Sequence, residues 1–305
     1  MNAINVGDIS LSYFASGAGD PIMFLHCTGG SSRQWSTFAE GLGAGFHIVA
    51  PDLCGYGATS HWPGASPFSL GSKAALVAAL IEHFGKPMHV VGHSYGGAVA
   101  LQLAHRYPKL VKSLTVIEPV AFHLLLSGND MDAAAYRQIS EVASTIARAV
   151  NCGNYADAMR RFVNYWSGEK AWDALPDSQR AALAAHINKI TLDFWATLND
   201  PTRLEDFADF RTRTLILCGD LSPLPTQQIC RHLARKLSNA RLEKIAGAGH
   251  MLPMTHREEV RQLIVAFVGS KPIWAPRVAP LRRAVAARPV QTPITRQPQI
   301  GRAIN

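Results

Sequence analysis

A serine between glycines, a histidine preceded by two glycines and two carboxylates carry the chemistry of this sequence. Gly92-His93-Ser94-Tyr95-Gly96 follows Met88-His89-Val90-Val91, which reads as a buried strand. Residues 97–104, rich in alanine and leucine, read as a helix. A Gly-x-Ser-x-Gly turn between a strand and a helix makes a nucleophile elbow. Small residues at Gly92, Gly96 and Gly97 let strand and helix close around the serine. Its hydroxyl then stands at the end of the sheet, over a helix N-terminus that favours negative charge. The competing reading, an ordinary glycine-rich loop, leaves the strand–turn–helix context unexplained.

A serine hydroxyl needs a base. His250 lies in Gly247-Ala248-Gly249-His250-Met251-Leu252-Pro253, after the last strand signal and before the last helix. Flanking glycines let that loop carry an imidazole into a site. His93 is expected to pack against neighbouring strands, and His26 to organise its loop. The base needs a carboxylate to fix its tautomer and stabilise its cation. Two positions compete for that role. Asp220 lies in Gly219-Asp220-Leu221-Ser222-Pro223, after a strand that ends at Cys218. Glu118 ends the strand that follows the elbow helix. Two backbone donors must hold the oxyanion. Tyr95 supplies one, and the loop His26-Cys27-Thr28-Gly29-Gly30-Ser31-Ser32 supplies the other. Thr28 is the choice there, with Cys27 close behind, and the Cys27 thiol is read as packing.

These residues need a sheet to position them. Leu11-Ser12-Tyr13-Phe14 alternates as an early antiparallel strand. Buried strands are expected at 22–25, 46–50 (stopped by Pro51), 88–91, 113–117, 214–218 and 241–245. Helices are expected at 32–42, 73–84, 226–237 and 257–268. This alternation predicts an α/β class with a mostly parallel sheet flanked by helices. Between about 120 and 208 only helical spacing appears, as in Tyr136, Ile139, Ala143, Ile146 and Val150, and again from Leu183 to Leu198. The expected organisation is a core of residues 1–120 and 209–269, an all-helical lid at 121–208 and a tail at 270–305. Such a lid would lie over the carboxyl ends of the strands, where these sheets bind ligands. Its aromatic residues (Phe122, Phe162, Trp166 and Phe194 among them) would divide between lid core and an apolar pocket.

The tail explains the net charge of +8. It holds Lys271, Arg277, Arg282, Arg283, Arg288, Arg296 and Arg302 with no acidic residue, so the body is near neutral. Rich in proline and without apolar periodicity, it reads as disordered. Attraction to nucleic acid or an anionic surface is confined to this segment, where a solvated extension competes with it. The basic charge therefore says nothing about the substrate. The N-terminus lacks a basic region followed by an apolar run, so no secretory signal is expected. No stretch is apolar enough for a membrane span. Five scattered cysteines without zinc spacing predict reduced thiols in the cytoplasm, with no metal.

Jointly these motifs resemble the α/β-hydrolase superfamily over residues 5–269. Leu25-His26-Cys27-Thr28-Gly29-Gly30 looks like its oxyanion loop, and Pro51-Asp52-Leu53-Cys54-Gly55-Tyr56-Gly57-Ala58-Thr59-Ser60 looks like its Pro-Asp-x-x-Gly-x-Gly-x-Ser segment. The resemblance gives Asp52 a structural role. Two departures stand out. Cys27 replaces the usual glycine, and Ser222 occupies the usual position of the acid. Some members carry a Glu after the strand that follows the elbow helix, and Ile117-Glu118-Pro119 resembles that arrangement. It favours Glu118 over Asp220. The resemblance implies a cofactor-free serine hydrolase acting on an ester or thioester of an apolar acyl or aromatic molecule. A carbon–carbon bond hydrolase and a catalytically weak ligand receptor are the alternatives, and the oligomeric state is open.

Overall fold

Successive side chains of a strand point to opposite faces, so the continuous apolar runs of the central strands place one apolar set on each face of a sheet. The computed structural model describes residues 1–42, 45–64 and 68–270. Its strands are β1 (Asn2–Val6), β2 (Ile9–Ser16), β3 (Asp20–Leu25), β4 (Phe46–Pro51), β5 (Met88–His93), β6 (Val111–Ile117), β7 (Thr214–Gly219) and β8 (Ala240–Ile245). They form one sheet in the order β1-β2-β4-β3-β5-β6-β7-β8. β2 runs antiparallel to β1 and β4, and the strands from β4 to β8 are parallel. The basic tail at 271–305 lies outside the described residues.

The helices are α1 (Ser36–Glu40), α2 (Leu70–His83), α3 (Tyr95–Arg106), α4 (Asp130–Asn151), α5 (Tyr155–Ser167), α6 (Asp177–Ala184), α7 (Ile187–Leu198), α8 (Leu224–Lys236), α9 (Leu252–Thr255) and α10 (Arg257–Gly269). On one face of the sheet, Ile22 and Phe24 of β3 pack with Trp35, Phe38 and the α10 residues Val260 and Ile264. On the other, Met23 and Leu25 join residues of α2, α3 and α8. Full burial of one such side chain contributes roughly 1.5–3 kcal/mol. Among the described residues, no helix is long and apolar enough to cross a membrane.

Three local differences from the sequence pattern have physical causes. β1 has little apolar signal because it is an exposed edge. The segment expected as one helix at 32–42 starts as a 3-10 turn, Ser32–Trp35, before α1. The helical run from Leu183 to Leu198 is split into α6 and α7. Its break is tightened by an i−3 bond from the His186 amide to the Leu183 carbonyl, 3.0 Å.

The chain leaves β3 for β4 on one side and returns to β5 on the other. This reversal opens a crevice at the carboxyl ends of β3 and β5. Ser94 sits there, between β5 and α3, at φ 56° and ψ −116°. Its amide donates to the Ile117 carbonyl at 2.9 Å, which anchors the strained turn to β6. Gly96 allows the turn to close. A Cβ there would meet the Leu25 and His26 carbonyl oxygens at 2.4 and 2.5 Å.

All four helices α4–α7 lie between β6 and β7, within the compact unit Met1–Ser270. Buried polar contacts fasten the insertion. His232 of α8 donates to Asp132 of α4 at 2.7 Å. Gln102 of α3 donates to Asp200 at 3.0 Å and to Thr202 at 2.8 Å.

Two buried histidines brace the loops around the crevice. His26 donates from Nδ1 to the Cys27 carbonyl at 2.7 Å and accepts the Leu53 amide at Nε2 at 2.8 Å. It organises its loop as a neutral ring. His93 differs from its expected packing among strand residues. Its Nε2 donates to the His250 carbonyl at 2.9 Å, and its Nδ1 accepts from Gln34 at 3.1 Å. Adjacent elbow residues do point apart, yet the His250 main chain comes within reach of the His93 ring. Burial pushes His26 down to about 4. Burial, with His250 beside it, pushes His93 down to about 3.

Both rings stay neutral in the folded chain while their unfolded forms take up protons below about pH 6.5. Unfolding is therefore favoured as pH falls, and stability rises with pH across this window. Each ring should cost about 2 kcal/mol of stability at pH 5 relative to pH 8. Urea titrations at the two pH values should show this loss, with a shallower dependence in His93→Gln. Flat stability would contradict it. Gly96→Ala should lower stability by about 3 kcal/mol in the same assay, through overpacking against β3.

Candidate active site

Ser94, His250 and Glu118 come from three separate loops and meet at the carboxyl edge of the sheet. Ser94 Oγ lies 3.0 Å from His250 Nε2. His250 Nδ1 lies 3.3 Å from Glu118 Oε2. All three residues are buried. Glu118 has a φ of 50°, in the left-handed region, at the end of β6. Its amide donates to the Leu217 carbonyl of β7 at 3.0 Å. Its Oε1 accepts the Gly219 amide at 2.7 Å and the Ser222 hydroxyl at 2.8 Å. Burial raises the Glu118 carboxyl, but His250 and the Gly219 amide outweigh it, and the net direction is downward. Glu118 is thus held as a carboxylate, with Oε2 left for the imidazole.

Asp220 is not brought to His250. It is exposed, and its Oδ1 accepts the Gly247 amide at 2.8 Å, bracing the loop after β8. Ser222 acts as a partner of Glu118, which the sequence did not reveal. Its position, where the resemblance places an acid, was the available signal.

The Tyr95 amide opens α3 beside Ser94, and Thr28 lies across the crevice, lining the same cavity. The Cys27 amide is already engaged by Gln34 Oε1 at 2.9 Å. Burial pushes the Cys27 thiol up to about 12, so it is no thiolate nucleophile. Asp52 braces the loops, accepting the Ser32 amide at 2.7 Å and the Ala58 amide at 2.9 Å.

A buried polar cluster beside the site had no place in the sequence reading. Asp193 of α7 accepts from the Thr28 hydroxyl at 3.0 Å and from the Tyr56 hydroxyl at 2.6 Å, and pairs with Lys189. Burial, with Asp193 alongside, pushes the Tyr56 phenol well up, so it stays a donor. The Lys189–Asp193 spacing of four on an apolar helix was the signal in the sequence.

Two spaces adjoin Ser94. One, of about 20 Å³, is lined by Tyr95, Val120, Phe122, Asp193, Phe194 and Thr197 among others. The other, of about 370 Å³, is lined by Met159, Val163, Leu175, Leu183, Met251 and Met254 among others, and by His250. Trp166 and Phe162 border both. The Trp166 ring covers the His250 ring, with centroids 4.1 Å apart. Tyr155 and Trp195 face outward instead, and Phe207 is buried against Phe210 and His105. Among the described residues, no three His, Cys, Asp or Glu side chains gather as a metal site.

Comparison with known proteins agrees with this architecture. A family model described as alpha/beta hydrolase fold matches residues 20–257. The chain is 26% identical over 268 residues to "Putative carbamate hydrolase RutD" of Azorhizobium caulinodans, covering 86% of this chain and 96% of that protein. It is 24% identical over 258 residues to Lipase 1 of Psychrobacter immobilis, covering 82% of this chain and 77% of the lipase. Among solved structures, MGS-M2, an alpha/beta hydrolase enzyme from a Medee basin deep-sea metagenome library, has a TM-score of 0.75 at 19% identity. That match covers 88% of this chain and 98% of MGS-M2. Since the family model spans most of the sheet and the insertion within it, the chain belongs to the alpha/beta hydrolase fold family.

Proposed function

We propose that the protein is a serine hydrolase that cleaves a carboxylic ester or thioester of an apolar small molecule through an acyl-enzyme. The observation that carries this reading is the buried Ser94–His250–Glu118 array beside an apolar cavity of about 370 Å³. Relatives named as hydrolases support bond hydrolysis in general.

Glu118 Oε2 accepts a hydrogen bond from the Nδ1–H of His250, which leaves the Nε2 lone pair facing Ser94. His250 takes the Ser94 proton as Oγ attacks the substrate carbonyl carbon. The Tyr95 and Thr28 amides hold the resulting oxyanion. His250 returns the proton to the leaving oxygen or sulfur, and the acyl group stays on Ser94. Water, deprotonated by His250, then attacks the acyl-enzyme, and the acid departs as the proton returns to Ser94. These steps draw on no metal or organic cofactor. In this reading residues 121–208 are a lid over the site, and the free thiols suit the cytoplasm.

Ser94→Ala should reduce ester hydrolysis to background and abolish labelling by a fluorophosphonate probe. Glu118→Gln should lower kcat by about 10²–10⁴-fold, because the imidazolium loses its counter-charge. Asp220→Asn should change kcat by less than about tenfold, as expected of a group outside the proton path. Steady-state kinetics on p-nitrophenyl esters measure all three. A larger loss in Asp220→Asn than in Glu118→Gln would overturn the assignment of the acid.

A further inference from the structure

The two spaces beside Ser94 are unequal, and His250 borders only the larger one. That asymmetry decides which half of a substrate goes where. A general acid must lie within hydrogen-bond reach of the atom it protonates. The leaving oxygen or sulfur must therefore sit on the His250 side, and the group attached to it must extend into the space of about 370 Å³. The acyl substituent, on the other side of the carbonyl carbon, is directed into the space of about 20 Å³. A volume of that order holds about one water-sized group.

The walls of the smaller space are fixed. Phe194 stacks on Phe122 with ring centroids 6.3 Å apart and meets Phe162 edge-on at 6.1 Å. Asp193 is locked by Thr28, Tyr56 and Lys189. Displacing it would break a buried ion pair and leave charges without partners. A longer acyl chain thus meets a wall that cannot yield cheaply. The larger space is lined by flexible methionine and leucine side chains that adapt to a bulky apolar group.

Resting on the serine-hydrolase reading above, we infer that this enzyme removes a short acyl group, of one or two carbons, from a bulky apolar alcohol or thiol. For an acetate ester, Ser94 Oγ forms a bond to the acetyl carbon as the bond to the alcohol oxygen breaks. His250 supplies the proton that the alcohol carries away. Water then releases acetate and restores Ser94.

Octyl acetate and methyl nonanoate are isomers that differ only in which side of the ester is long. The full chain should hydrolyse octyl acetate with kcat/KM at least about 100-fold higher. Phe194→Ala should narrow that ratio at least about tenfold by opening the smaller space. Phe194→Leu serves where the alanine variant does not fold. Equal rates, or a preference for methyl nonanoate, would overturn the inference. So would a ratio unmoved in a folded Phe194 variant.

Fluorophosphonate labelling separates the two levels of failure. Ser94 labelled, with methyl nonanoate preferred or neither ester cleaved, sinks the acyl assignment alone. No labelling and no turnover of either ester sinks the serine-hydrolase reading with it.

Discussion

A carboxylate buried in a protein must be compensated by hydrogen bonds and opposite charge, or it will not stay ionised. Glu118 meets that requirement with groups from three segments: the Gly219 amide at the end of β7, the Ser222 hydroxyl beyond it and the His250 imidazole after β8. The carboxyl edge of the sheet is built to keep them together. The β6–β7 register continues past the strand ends as the Glu118 amide reaches the Leu217 carbonyl. Gly219 lets the His250 loop come close, since a Cβ there would lie 2.1 Å from the Ala248 carbonyl oxygen. The neighbouring strand repeats the pattern, with Ser94 also in the left-handed region and its amide on Ile117. Two adjacent strand ends thus hold non-glycine residues in a costly conformation, each tied to the next strand.

What was legible in the sequence follows from how local each signal is. The elbow was legible because strand, turn and helix are contiguous from Met88 to Arg106. Parallel strands read as short apolar runs because both faces of the sheet are covered. The choice between Glu118 and Asp220 was harder, because either can follow a strand next to the histidine loop. It depends on which way a side chain points after β6 or β7. Composition cannot fix that, and the hints were the serine at position 222 and the resemblance of Ile117-Glu118-Pro119 to members that carry the acid there. His93 was misplaced for a similar reason. Its place at the end of β5 suggested packing against strands, but the partners of its ring, Gln34 and the His250 carbonyl, lie far along the chain.

The insertion was legible as helices but not as a wall. Helical spacing shows that Phe162, Trp166 and Phe194 lie on apolar faces, yet it does not show which face looks into the cavity. That is set by its fastening points, which are polar and long-range: Asp132 with His232, Gln102 with Asp200, and Asp193 with Thr28 and Tyr56. Each polar partner is separated from the other by about 100 residues or more of chain.

The Asp193 fastening divides the cavity into parts with unequal freedom to change. Replacing Asp193 leaves Lys189, Tyr56 and Thr28 without their shared buried acceptor, so this polar part of the wall changes only together with its partners, while the apolar Phe194 beside it can change alone. The opposite wall, with Met159, Leu175, Leu183 and Met254, tolerates apolar exchange one residue at a time at modest cost. Successive single mutations can therefore reshape the side of the cavity that His250 borders, while the Asp193 cluster is inherited as a block.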